Sequence, residues 1–156
     1  MDQVGFVLTV ALLRALSLLR YGLVARIGSA IGATLYVLPS RRKNIVLANL
    51  RLFFPEKRDR EYDDLARGHF RHVVRSYLER GIQWFGSAQS LNKHVEVDSK
   101  IDFHDKDAPP TIFMGFHYVS IEVGCILYST RSPAASLYTR MSNARLCDLT
   151  RCHGSA

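Results

Sequence analysis

The sequence predicts an α/β fold, with membrane-associated helices at the N-terminus followed by alternating strands and helices. Three observations predict it. Residues 4–38 are dominated by Leu, Val, Ala, Ile and Gly. A helical apolar period then holds from about Asp59 to Phe85. Beyond Gly86 the period changes to short alternating or apolar runs separated by turns. The expected organisation is an anchor over residues 1–40 and an α/β domain over residues 41–156.

The apolar N-terminus is interrupted by Arg14, Arg20 and Arg26. Its longest uncharged runs, Gln3 to Leu13 and Ile27 to Ser40, fall short of the ~18–20 residues of a clean span. A signal peptide would need a positive leading region that is missing. The preferred reading is an anchor seated in the membrane, its Arg side chains reaching towards headgroups while their stems stay apolar. A single tilted span and a buried helical hairpin are the competing versions. A break is expected near Tyr21-Gly22 or Gly28. Ser40-Arg41-Arg42-Lys43, just after Pro39, suits the cytoplasmic face of a membrane.

Arg42 to Phe54 reads as an amphipathic helix, with Ile45, Val46, Leu50 and Phe53 at three- and four-residue steps, and Pro55 ends it. The next helix, Asp59 to Phe85, carries Tyr62, Leu65, Ala66, Phe70, Val73, Tyr77, Leu78, Ile82 and Phe85 on one stripe. His69, His72 and Trp84 on it read as packing or solvated residues. His94 to Asp98 alternates like a half-exposed strand, and Asp105 to Pro110 is a polar turn. Thr111 to Phe116 reads as a buried strand and Ser120 to Ser129 as a helix. Ala134 to Tyr138 reads as a further strand, and Asn143 to Arg151 begins another helix with Asn143 as its cap. Strand, helix, strand, helix implies a parallel sheet, with a site at the carboxyl end of a strand.

The 156 residues carry a net charge of +7, and there is room for one domain with a core. Ten Lys or Arg face three acids in the first sixty positions. That asymmetry points to an anionic partner. No nucleic-acid-binding motif is present, and the basic residues alternate with Leu, Val and Ile, so a membrane surface ranks above nucleic acid. Cys125, Cys147 and Cys152 form no disulfide framework and suit a reducing compartment. Cys147-x-x-x-x-Cys152-His153 fits neither zinc nor haem-attachment spacing, and no metal site is expected.

His117-Tyr-Val-Ser-Ile-Glu122 carries the chemistry. A His able to remove a hydroxyl proton and a Glu able to orient the ring and stabilise the imidazolium suit acyl transfer to a hydroxyl. Residues five apart lie about 140° apart on a regular helix, so the two meet only with His117 in the turn and Glu122 on the first turns of the helix. Arg140 follows the strand expected beside that of His117. Its fork can grip an anion through two parallel hydrogen bonds, so it is the candidate substrate-binding residue.

In order along the chain come Arg41-Arg42-Lys43-Asn44, then Asn49-Leu50-Arg51-Leu52-Phe53-Phe54-Pro55-Glu56. The long helix carries Phe70 and Leu78-Glu79, and the His117–Glu122 block is followed by Leu137-Tyr138-x-Arg140-Met141-x-Asn143. This succession resembles the bacterial lipid A biosynthesis acyltransferases of the late, lauroyl/myristoyl type, with their N-L-x-x-x-F-P-E and Y-R-x-x-x-N stretches. The resemblance implies a glycerol-phosphate-acyltransferase-like α/β sandwich on the cytoplasmic face of the bacterial inner membrane. It implies transfer of a fatty acyl chain from acyl carrier protein to a hydroxyl on a lipid A precursor, with His117 as base and Glu122 as its partner. The implied partners are acyl carrier protein, the lipid A precursor and membrane phospholipid, and no cofactor beyond the carrier-protein thioester is implied. Many members read G-H-F-G-N-W-E where this chain reads Phe116-His-Tyr-Val-Ser-Ile-Glu122. Members also run to nearly twice this length, so the chain reads as C-terminally truncated, with a partial sandwich. Two other functions compete. A phospholipid or lysophospholipid acyltransferase usually carries Asp in place of the Glu and lacks the F-P-E helix end. An inactive membrane-anchored fragment would show no turnover.

Overall fold

A computed structural model describes residues 3–98, 102, 109, 111–116, 118, 119, 121–129, 133 and 135. Among them the elements are all helical: α1 Gln3–Ser17, α2 Tyr21–Val37, α3 Arg41–Phe53, α4 Asp59–Phe85, α5 Ala88–Asn92 and α6 Ile121–Ser129. The chain divides into two units, one comprising Leu19–Glu79 and the other Met1–Leu18 with Arg80–Ala156.

In the first unit, α2 buries Val24, Gly28, Gly32 and Tyr36 at four-residue steps, one stripe on one face of the helix. The two glycines let backbone meet backbone. A Cβ on Gly28 would sit 2.6 Å from Arg75 Cα, and one on Gly32 2.5 Å from the Phe70 carbonyl oxygen. Gly28 therefore lies inside a continuous helix, and the break falls before Tyr21, at Leu18–Arg20. The Arg75 guanidinium donates from Nε to Glu79 at 2.6 Å and from Nη2 to the Tyr21 hydroxyl at 2.5 Å, tying the start of α2 to α4. At the other end of α2, the Tyr36 hydroxyl donates to Asp63 Oδ1. Lys43 Nζ lies 4.1 Å and Arg67 Cζ 5.4 Å from the centroid of the Tyr36 ring, both within cation–π range.

Helix α3 starts at a capped end, with Ser40 Oγ accepting from the Lys43 N–H at 3.2 Å. It ends where Pro55 removes the next donor. The buried Tyr62 of α4 reaches back to donate to the Phe54 carbonyl at 2.6 Å. The Arg58 N–H donates to Glu61 Oε2 at 3.1 Å, one half of a capping box. Asp59 and Glu61 sit in the first turn of α4, where the helix dipole favours anions.

In the second unit, Leu13, Leu16, Ile82 and Leu127 are buried. Gly81 lies against the Leu13 carbonyl, a contact that leaves no room for a Cβ. The Arg14 guanidinium sits 5.5 Å from the centroid of the Phe85 ring.

The expected α/β sandwich is not found, because the described residues contain no strand and no sheet. His94 to Asp98 and Thr111 to Phe116 are irregular. In the latter, Ile112, Met114 and Phe116 are 90%, 92% and 91% exposed, so the run is not a buried strand either. Alternation describes a side-chain pattern. A strand also needs a neighbour to take its N–H and C=O groups, and none of the described residues supplies one. The expected strand Ala134 to Tyr138, apart from Ala135, and the expected helix Asn143 to Arg151 lie outside the described residues.

No single described helix is long and apolar enough to cross a membrane. Helices α2 and α3 reach that length only together, and they bend by 90° between them.

Candidate active site

Glu122 is the second residue of α6. An acidic side chain in a first helical turn faces the positive end of the dipole, and the helix begins where the sequence places it, within one residue. The segment before it is laid along the helix by side-chain contacts. Phe113 packs on Tyr128 with ring centroids 4.8 Å apart. Gly115 faces Ile121, whose Cδ1 would lie 3.4 Å from a Cβ placed there. The Tyr118 hydroxyl lies over Gly124, 3.7 Å from where its Cβ would be.

The Glu122 carboxylate is held by Arg80 of α4. Arg80 Nε donates to Oε2 at 2.9 Å and Nη2 donates to Oε1 at 2.8 Å. This is the two-pronged arrangement that makes Arg–carboxylate pairs both strong and directional. The side chains are 29% and 37% exposed, so the pair is partly shielded from water. The Arg80 guanidinium also lies 5.9 Å from the centroid of the Trp84 ring.

His117 and Arg140, the other two residues singled out in the sequence, lie outside the described residues. Cys147, Cys152 and His153 do too. Cys125 is exposed on α6, and no cluster of three or more metal-ligating side chains occurs among the described residues.

Arg80 was not legible as a site residue, because its partner is 42 residues away in sequence. One signal was present. Arg67 has Asp63 and Arg75 has Glu79 at four-residue spacing, whereas Arg80 has Ser76, Tyr77, Gln83 and Trp84 at its three- and four-residue positions. A cation without a local acid on a helix is a candidate for a distant one.

Residues 2–151 match the family described as bacterial lipid A biosynthesis acyltransferase. The chain belongs to that family. Among curated proteins it is similar to a lipid A biosynthesis lauroyltransferase of Escherichia coli K12, at 26% identity over 80% of this chain and 42% of that protein. It is similar to a lipid A biosynthesis acyltransferase of Haemophilus influenzae, at 26% identity over 90% of this chain and 46% of that protein. A lipid A biosynthesis palmitoleoyltransferase of Escherichia coli K12 matches at 25% identity over 87% of this chain and 45% of that protein. The chain thus spans less than half the length of the curated relatives it matches. No solved structure matches.

Proposed function

We propose that this chain serves the transfer of a fatty acyl group from acyl carrier protein to a hydroxyl of a lipid A precursor. The observation that carries this reading is the family match over residues 2–151, which takes in both His117 and Glu122. In the proposed step His117 accepts the proton of the acceptor hydroxyl. The oxygen attacks the thioester carbonyl, the C–S bond breaks, and the imidazolium returns its proton to the departing thiolate. Glu122 fixes the ring and stabilises its cation while it is charged. Arg140 grips an anion of the acceptor.

The proposed setting is the cytoplasmic face of the inner membrane. Val4, Val7, Leu8 and Leu12 of α1 and Leu23, Ile31 and Leu35 of α2 are exposed apolar side chains. Each of these apolar faces fits insertion at the headgroup region, and Arg41, Arg42 and Lys43 of α3 fit contact with anionic lipid there. The test is turnover by residues 1–156 with an acyl carrier protein thioester and a hydroxyacylated lipid A precursor in mixed micelles. Acylated product that disappears in His117→Ala supports the reading. Product from a lysophospholipid acceptor alone, or no product, refutes it.

A further inference from the structure

The Glu122 carboxylate has two claims on it. One is the expected role behind His117. The other, with both oxygens engaged, is the Arg80 fork at 2.8 and 2.9 Å. The two are compatible. A carboxylate offers about four lone-pair sites, and a fork occupies one on each oxygen. The remaining sites stay open to a ring N–H.

The fork also supplies what a glutamate on a first helical turn lacks. Glu has three side-chain torsions, the last of them broad, and a partner held through a rotating carboxylate is poorly aimed. Two parallel N–H···O bonds fix both the position and the plane of the carboxylate. The clamp itself rests on α4, at the turn where Gly81 lies against Leu13.

We propose that Arg80 is a positioning residue for acyl transfer. It fixes the plane of the Glu122 carboxylate, and Glu122 in turn selects one tautomer and one orientation of the His117 ring. This rests on the dyad reading above. Its contribution lies in geometry, so charge alone does not replace it. A Lys at this position keeps the cation and loses the fork.

The test reads the His117 ring directly and needs no turnover. Residues 1–156 carrying ¹⁵N-labelled histidine are placed in micelles, and the His117 signals are assigned by their loss in His117→Ala. Parent, Glu122→Gln, Arg80→Met and Arg80→Lys are compared at a pH where the ring is neutral. The parent is expected to show two well-separated ring-nitrogen signals, the mark of one tautomer held by a carboxylate. Glu122→Gln should draw them together as both tautomers are populated. Arg80→Met should resemble Glu122→Gln, and Arg80→Lys should fall between. If Arg80→Met does not fold, Arg80→Lys decides the matter alone.

Signals in the Arg80 variants identical to the parent, with Glu122→Gln clearly different, overturn the positioning role and leave the dyad standing. A parent spectrum identical to that of Glu122→Gln overturns the dyad and the clamp behind it together. In turnover, Arg80→Met should lower kcat roughly 10–100-fold, the effect seen when the partner behind a metal-ligating side chain is removed. Acceptor KM should stay within about twofold. An equal rise in KM with kcat unchanged points to substrate binding and also overturns the role.

Discussion

The Tyr36 hydroxyl donates to the Asp63 carboxylate, joining the end of α2 to the second turn of α4. That bond, followed by the hydrogen bond and charge of Arg67, holds the Asp63 carboxyl below its usual range. Glu61, two residues earlier, is likewise lowered, first by the Arg58 backbone N–H and then by the Arg58 side chain. Both groups bind protons more weakly folded than unfolded. Their stabilisation is present in full above the ordinary carboxylate range, about pH 4, and is lost as pH falls through the lowered folded values. Thermal melts should fall in midpoint as pH drops below about 4. Tyr36→Phe should flatten the acid limb, and an unchanged limb removes this bond from the account.

Gly68 and Gly81 occupy the same helix in opposite circumstances. A Cβ on Gly68 meets nothing within 4 Å, whereas one on Gly81 runs into the Leu13 carbonyl. Gly68→Ala should stabilise by about 0.5–1 kcal/mol, the backbone-entropy difference inside a helix. Gly81→Ala should destabilise by about 1–3 kcal/mol as α1 is forced away. Urea unfolding with equal slopes checks both. Two changes of the same sign contradict the packing described.

Membrane binding should depend on two separable features. Replacing Arg41, Arg42 and Lys43 with Ala should weaken binding to phosphatidylglycerol vesicles by about 3 kcal/mol, on the order of 10²-fold, at low salt. The same change should do little with neutral vesicles. Val7→Ser with Leu8→Ser should weaken both. Recovery of the parent in the soluble fraction at low salt without detergent rejects the anchor.

For the acceptor, Arg140→Lys should raise acceptor KM, because a point charge cannot reproduce a fork on a phosphate or carboxylate. An unchanged KM takes Arg140 out of the site.

The local signals in the sequence are those that survive in the structure. Asp59 to Phe85 is a helix with the limits its apolar period marks, closed by Pro55 before it and Gly86 after it. The helices beginning at Arg41 and Ile121 start within one residue of expectation. Helices are legible because their hydrogen bonds close within the segment itself. Thr111 to Phe116 reads as a strand because apolar residues in a short run between turns carry that pattern. Whether it pairs depends on residues far away in sequence. Gly28 reads as a break in the sequence, since glycine is a poor helix former. Its absent side chain is instead what lets α2 approach Arg75. The Arg80–Glu122 pair joins two helices that no spacing rule connects, so the sequence does not pair them.

The most direct measurement is a kinetic cycle on acyl transfer using His117→Ala, Glu122→Ala and the double variant. The account expects His117→Ala to lower kcat by ~10²–10⁴ with acceptor KM little changed. It expects Glu122→Ala to act in the same direction, and the double variant to be scarcely slower than His117→Ala, because the two residues work as one unit. Near-normal kcat for His117→Ala, or losses that multiply in the double variant, would contradict the dyad.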